Sequence, residues 1–280
     1  GMYMSRSNLI FIRNVTIRNN SATMGGGGYF SSSNCNLANI TLENNMAWKA
    51  GGVFILHSPN TMLMNVTISG NMAEYKTGGI YLVGSNSALT NVTISGNTAN
   101  YSSGGMRITS SDPILTNVTI SGNTAGEFAG GMHLGGSNPI LINSILWDNS
   151  PESIYFNGPN TIGIQYSDIE GGEEGIVTND NGEVYWLEGN IDTDPLFSDP
   201  DNGDYTLQEG SPCIDSGDPN LWFEDMDGTT GDMGVTGGMF VVPNFISHDF
   251  GEVGDNGSVK QFSLYNGRET AITISSVSFN

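Results

Sequence analysis

Apolar side chains alternate with polar ones in short runs along the first half of the chain. Gly79-Ile80-Tyr81-Leu82-Val83 and Ala88-Leu89-Thr90-Asn91-Val92-Thr93-Ile94-Ser95 are typical. Such runs read as half-buried strands, and the Gly, Ser and Asn between them read as bends. No helical period of apolar residues interrupts them. The runs also recur. Asn14, Asn39, Asn65, Asn91, Asn117 and Asn143 are spaced by 25, 26, 26, 26 and 26 residues. Asn20, Asn45, Asn71, Asn97, Asn123 and Asn149 follow the same rhythm, and a Gly pair follows each of the first five: Gly27-Gly28, Gly51-Gly52, Gly78-Gly79, Gly104-Gly105 and Gly130-Gly131. A period of this length with three short strands and no helix predicts an all-β parallel solenoid, in which each coil of about 26 residues pairs with the next.

Apolar positions align through the coils as expected of stacked inward faces. Ile12, Leu37, Leu63, Leu89, Leu115 and Leu141 form one column; Val15, Ile40, Val66, Val92 and Val118 a second; Ile17, Leu42, Ile68, Ile94, Ile120 and Leu146 a third. After the Gly pairs come Val53, Ile80, Met106 and Met132, then Ile55, Leu82, Ile108 and Leu134. Ala22, Ala47, Ala73, Ala99 and Ala125 mark a tight corner. The Asn columns read as ladders rather than as sites, because Asn accepts left-handed backbone and its amide reaches the next coil. A third corner column is Asn34, Asn60, Asn86, Asp112 and Asn138. The Asn-Val-Thr triplets match a glycosylation sequon, but outward Thr on a strand accounts for them.

The paired Gly-Gly-[Val/Ile/Met] and Ile-x-x-Asn elements resemble right-handed parallel β-helix repeats of the pectin-lyase-like fold. They are also similar to the repeats of chlamydial polymorphic outer membrane proteins. The resemblance spans about residues 8–170 and implies fold more than function, since that fold hosts lyases, hydrolases, adhesins and passive surface proteins. It divides the chain into a β-helix over 1–170, a tail over 171–243 and a third segment over 244–280. Residues 190–219 and Asp232-Met233-Gly234-Val235-Thr236-Gly237-Gly238 resemble a choice-of-anchor Q tail, expected as an irregular cap closing the last coil. Residues 244–280 resemble the start of an immunoglobulin-like module of the choice-of-anchor D or ASH type. At 37 residues they make only a partial β-sandwich. By resemblance the protein is extracellular or at a cell surface, and part of a larger multidomain chain. Gly1 ahead of Met2 reads as an expression remnant, and no charged-then-apolar signal sequence follows.

Outward positions beside the Gly pairs give a column of Phe30, Phe54, Tyr81, Arg107 and His133. The adjoining loop adds Trp48, Tyr75 and Tyr101, with Lys49 and Lys76 one residue on. Aromatic faces suit sugar rings. Two readings stand: a strip that binds polysaccharide or cell-surface glycan, or rings packed on one another to shield the Gly-rich strands. The resemblance places the polysaccharide groove of pectin-lyase-like enzymes on this face. For catalysis, Arg107 or Lys76 would be the base and His133 an acid, with Glu74 and Glu127 in nearby loops. A glycosidase needs two carboxylates about 5–10 Å apart, and Glu74 and Glu127 lie two coils, roughly 10 Å, apart. No Asp or Glu occupies the outward column. Non-catalytic recognition or adhesion is therefore favoured, with a lyase or hydrolase as the alternative and a structural spacer as a third. His57 and His248 read as surface residues.

Composition changes this picture in one respect. The chain has 29 Asp+Glu and 8 Lys+Arg, a net charge of −21. That balance argues against nucleic acid as a partner, and no apolar run is long enough for a membrane-spanning helix. The charge is unevenly placed. Residues 1–150 hold 5 acidic and 6 basic side chains, whereas residues 151–243 hold 20 acidic and no basic ones. Asp192, Asp194, Asp199, Asp201 and Asp204 cluster, and Asp225, Asp227 and Asp232 follow. Either calcium is held there by converging oxygens, or the carboxylates are solvated and cap turns. Two cysteines, Cys35 and Cys213, fall too far apart in the coil order for an expected bridge.

Overall fold

A computed structural model describes residues 1–7, 10–225, 228–237, 241–243 and 264–266. Its body is a parallel β-solenoid with three faces. The face that follows the Gly pairs has seven strands in coil order: Met2–Ser5, Gly28–Ser31, Val53–Leu56, Ile80–Val83, Met106–Thr109, Met132–Gly135 and Ile154–Phe156. The long face runs from Ile10–Arg18 through Cys35–Glu43, Met62–Ser69, Ala88–Ser95 and Ile114–Ser121 to Ile140–Ile142, Asn160–Gln165 and Gly182–Trp186. The short face comprises Ser21–Met24, Met46–Lys49, Met72–Lys76, Thr98–Ala99 and Thr124–Ala125.

Register follows the repeat. Leu89 pairs with Leu63 and Leu115, Val92 with Val66 and Val118, and Ile94 with Ile68 and Ile120. These side chains are buried in one continuous core extending from Phe30 and Leu37 to Ile176. Burying each is worth about 1.5–3 kcal/mol. The coil closes because the Gly pairs admit close backbone. A Cβ on Gly79 would lie 2.4 Å from the Gly105 carbonyl oxygen, and one on Gly52 2.6 Å from that of Gly79.

The asparagine columns are two different devices. Asn39, Asn65, Asn91 and Asn117 sit at positive φ of 52–54° inside the long strands and turn the chain there, which divides each long strand in two. In the other column each amide from Asn45 to Asn149 is buried and hydrogen-bonded. Asn97 Nδ2 donates to Ile68 O at 2.9 Å and to Asn123 Oδ1 at 2.9 Å, while its Oδ1 accepts from the Asn71 main-chain N at 2.9 Å. A serine column, Ser33, Ser58, Ser85, Ser111 and Ser137, forms a similar ladder at a third corner: the main-chain N of each of the first four donates to the next hydroxyl, as Ser58 N does to Ser85 Oγ at 3.0 Å, and Ser137 N donates to Asn160 Oδ1.

The solenoid continues beyond residue 170. Gly182–Trp186 pairs in parallel with Asn160–Gln165, and Val184 and Trp186 pack on the core. The tail that follows folds back along the long face. Gly234 N donates to Asn143 O at 2.7 Å, Val235 N to Thr119 Oγ1 at 3.0 Å, and Asn117 Nδ2 to Asp232 O at 3.1 Å. Phe197, Tyr205, Cys213 and Met233 form a second small core with Ile145. An antiparallel pair, Phe197–Asp199 with Asp204–Leu207, stiffens the tail. Of the third segment, Leu264–Asn266 pairs antiparallel with Val241–Pro243; the rest of 244–280, with the partial β-sandwich expected there, lies outside the described residues. Cys35 and Cys213 are both free and buried. No helix among the described residues is long and apolar enough to cross a membrane.

Candidate ligand-binding site

The outward column beside the Gly pairs is Tyr3, Tyr29, Phe54, Tyr81, Arg107, His133 and Tyr155 in strand register. This corrects the expected membership of Phe30, which faces inward at 2% exposure. The cause is the run Gly25–Gly28. Gly28 pairs with Val53, so the pair equivalent to Gly51-Gly52 is Gly26-Gly27, and every following residue shifts by one face. Tyr155 was hidden because Glu152-Ser153 replaces the Gly pair in its coil, with Gly131 N and Met132 N donating to their carbonyls.

A second column runs beside it: Trp48, Tyr75, Tyr101 and Phe128. Trp48 stacks on Tyr75 at 5.2 Å and Tyr75 on Tyr101 at 5.2 Å, with ring planes within 23°. Tyr101 meets Phe128 edge-on at 6.0 Å. Phe128 then reaches Tyr155 at 5.0 Å, and Tyr155 reaches His133 at 5.5 Å. The two columns therefore converge on one ring. Lys49 and Lys76 lie on the short face, paired with each other in register, rather than in a loop.

Stacking changes what the columns can offer. Where rings one coil apart stack, as Tyr3 on Tyr29 and Trp48 on Tyr75 and Tyr75 on Tyr101 do, they turn their faces to each other and leave their edges for a ligand. Trp48 is different. It is 46% exposed, and Ala47 pairs with Ala22, which sets Trp48 beside the non-aromatic Thr23 at the end of the column. The outward column is also drier than alternation implies: Phe54, Arg107 and His133 are buried at 7, 8 and 2% exposure.

Between the columns lies a cleft of about 250 Å³ lined by Lys76, Tyr101, Ser102, Arg107, Phe128, His133, Tyr155 and Asn157. Lys76 Nζ stands 4.8 Å from the Tyr75 ring centre and 5.4 Å from that of Tyr101. The Arg107 guanidinium lies 5.7 Å from the Tyr81 ring and reaches Ser102 Oγ at 3.3 Å through one terminal nitrogen. Burial, then the charges of Arg107 and Lys76, push the His133 imidazole down to about 3, so it is neutral at ordinary pH. Burial and those two charges disfavour the imidazolium form that the expected acid role calls for. Glu74 and Glu127 are exposed and do not line the cleft. Two larger clefts, about 440 and 310 Å³, are lined by tail and corner residues with no Lys or Arg among them.

The stacked parallel coils, the shared core and the Gly corners find their counterpart in one comparison: residues 51–194 match the family described as a right handed beta helix region. The chain belongs to that family. No curated protein and no solved structure matches it.

The acidic tail of this β-helix mostly uses its carboxylates in turns. Asp192 Oδ1 accepts from Gly171 N at 3.0 Å, Asp194 Oδ1 from Leu196 N at 3.0 Å, and Asp204 Oδ1 from Thr206 N at 3.0 Å. Asp199 Oδ2 accepts from Asn202 Nδ2 at 2.8 Å, and Asp201 lies in the one-turn 3₁₀ helix beside it. The expected metal residues are thus not gathered at one point. Asp225 and Asp232 do approach each other, joined by Asp215, which the sequence pattern had not singled out. One oxygen from each lies within 4.8 Å of the others. Three carboxylates offer at most six of the six to eight oxygens that calcium takes. Asp227 lies outside the described residues.

Proposed function

We propose that this β-helix recognises an extracellular polysaccharide, without catalysis, along the two aromatic columns. The supporting observation is their convergence on Tyr155 beside a polar cleft, at the end of a column whose other terminus is the half-exposed ring of Trp48. A sugar ring stacks on that indole, and the phenolic edges along the columns meet sugar hydroxyls at one-coil intervals. A polymer suits a repeating surface, since each coil adds a similar contact. The family is compatible with carbohydrate-related and surface proteins, and secretion or surface attachment follows from such a ligand. The hydrolase alternative lacks support, because the cleft has no pair of carboxylates. Trp48→Ala and Tyr101→Ala should each weaken binding to an immobilised glycan panel. Absence of any glycan bound by the wild-type protein overturns the reading.

A further inference from the structure

The cleft between the columns contains charges without counter-charges. Arg107 is 8% exposed, its Nε has no hydrogen-bond partner, and its partners are Ser102 Oγ and the Tyr81 ring. His133 is 2% exposed, and its Nδ1 also lacks a partner. Lys76 rests on two rings. Arg18–Glu43 is the ion pair found among the described residues, so neither Lys76 nor Arg107 has a carboxylate within 4.0 Å. A guanidinium taken out of water costs several kcal/mol unless an acceptor or opposite charge replaces the solvent. Two cations and an imidazole with an unpartnered nitrogen converge on one cleft, where the neutral Ser102 Oγ is the hydrogen-bond acceptor recorded for them.

We propose that this cleft is an oxyanion site, in which Lys76, Arg107 and His133 hold one sulfate or carboxylate group. It deepens the polysaccharide reading and rests on that reading for the carrier of the group, but the anion pocket stands on its own residues. The oxyanion completes the bonds that Arg107 Nε and His133 leave open and balances the two cations.

Binding is coupled to protons. His133 faces Arg107 on one neighbouring strand and Tyr155 on the other, with Lys76 and Tyr101 from the short face and Phe128 beside them; no carboxylate lines the cleft. Both cations oppose its protonation. An anion between them reverses that field and raises the affinity of His133 for a proton. By linkage, the anion then binds more tightly as pH falls.

The test uses the full chain with ¹⁵N-labelled histidine at low ionic strength and inorganic sulfate as probe, which stays dianionic above pH 3. Sulfate should shift the His133 resonances saturably, raise the midpoint of its titration, and bind about threefold or more tightly at pH 4.5 than at pH 7. Arg107→Gln and Lys76→Met should lose the saturable shift. Lys76→Met guards against misfolding, since Lys76 is only partly buried. Acetate at pH 7, and sulfated, carboxylated and neutral polysaccharides, identify the carrier. Sulfate or acetate binding with no polymer bound keeps the pocket and overturns the polysaccharide reading. Polymer binding with His133 unmoved by either ion, or unchanged by Lys76→Met, overturns the pocket and keeps that reading.

Discussion

Cys213 Sγ donates to Asp168 Oδ2 at 3.2 Å, with both side chains fully buried. Asp168 sits in the solenoid on the strand Asp168–Ile169, and Cys213 in the tail that folds back over it. Asp168 Oδ1 also accepts from Thr193 N at 3.2 Å. The contact joins tail to solenoid through a carboxyl that burial drives up to about 6. Burial and the Asp168 charge push the thiol up as well, so it stays protonated and can donate.

A stability profile follows from Asp168. Its folded pKa, about 6, lies above the unfolded value, near 3.8. The folded state holds the proton more firmly, so this contribution is full below about pH 4 and lost as pH rises through 6. Asp168→Asn removes the charge but turns an amide NH2 toward one of the two donors, so its effect on stability should be more favourable at pH 7 than at pH 4 by up to about 3 kcal/mol. Urea unfolding at both pH values measures it. Equal effects at the two would contradict the account.

His133 acts with the opposite sign. Its folded pKa of about 3 lies below the unfolded value of 6.5, so the unfolded chain takes the proton first. Its contribution is full above 6.5 and drains away as pH falls towards 3. Between pH 7 and 5 the wild-type protein should lose up to about 2 kcal/mol through this group. His133→Gln should remove that loss, visible as a flatter dependence of melting temperature on pH. An unchanged slope would mean that His133 is not held neutral.

The two asparagine columns should respond differently to substitution. Asn97→Ala removes bonds to Ile68 O, Asn123 Oδ1 and Asn71 N and strands those buried groups, at a cost of about 3–5 kcal/mol. At Asn91, which has φ 52° and an exposed ladder bond to Asn65, the backbone decides. Asn91→Gly should be tolerated better than Asn91→Ala, by about 1 kcal/mol. Chemical denaturation of the three variants compares them, and an Asn97→Ala cost no larger than that of Asn91→Ala would contradict the assignment of the ladders.

The core was legible in the sequence because a solenoid writes the same inward residue once per coil. Leu63, Leu89 and Leu115 declare one another. The reading failed where the period changes: four consecutive glycines hid that Tyr29, not Phe30, faces outward, and loss of the Gly pair at Glu152-Ser153 hid Tyr155. The serine column was passed over because Ser is common in every bend, and only the bond from each main-chain N to the next hydroxyl singles it out. Burial of Arg107 and His133 was not readable from alternation, which says only that a side chain leaves the core. What dries them is the neighbouring aromatic column, brought alongside by the coil cross-section. The return of the tail across Asn117, Thr119 and Asn143 likewise depends on long-range bonds that no local pattern records.

The most direct test of the account is equilibrium binding of the wild-type protein and Trp48→Ala to a panel of neutral and anionic polysaccharides at pH 7. The account predicts saturable binding of at least one polymer, weakened about tenfold in Trp48→Ala, equivalent to about 1.4 kcal/mol, with the melting temperature of the variant unchanged. No binding across the panel, or binding indifferent to Trp48, would contradict it.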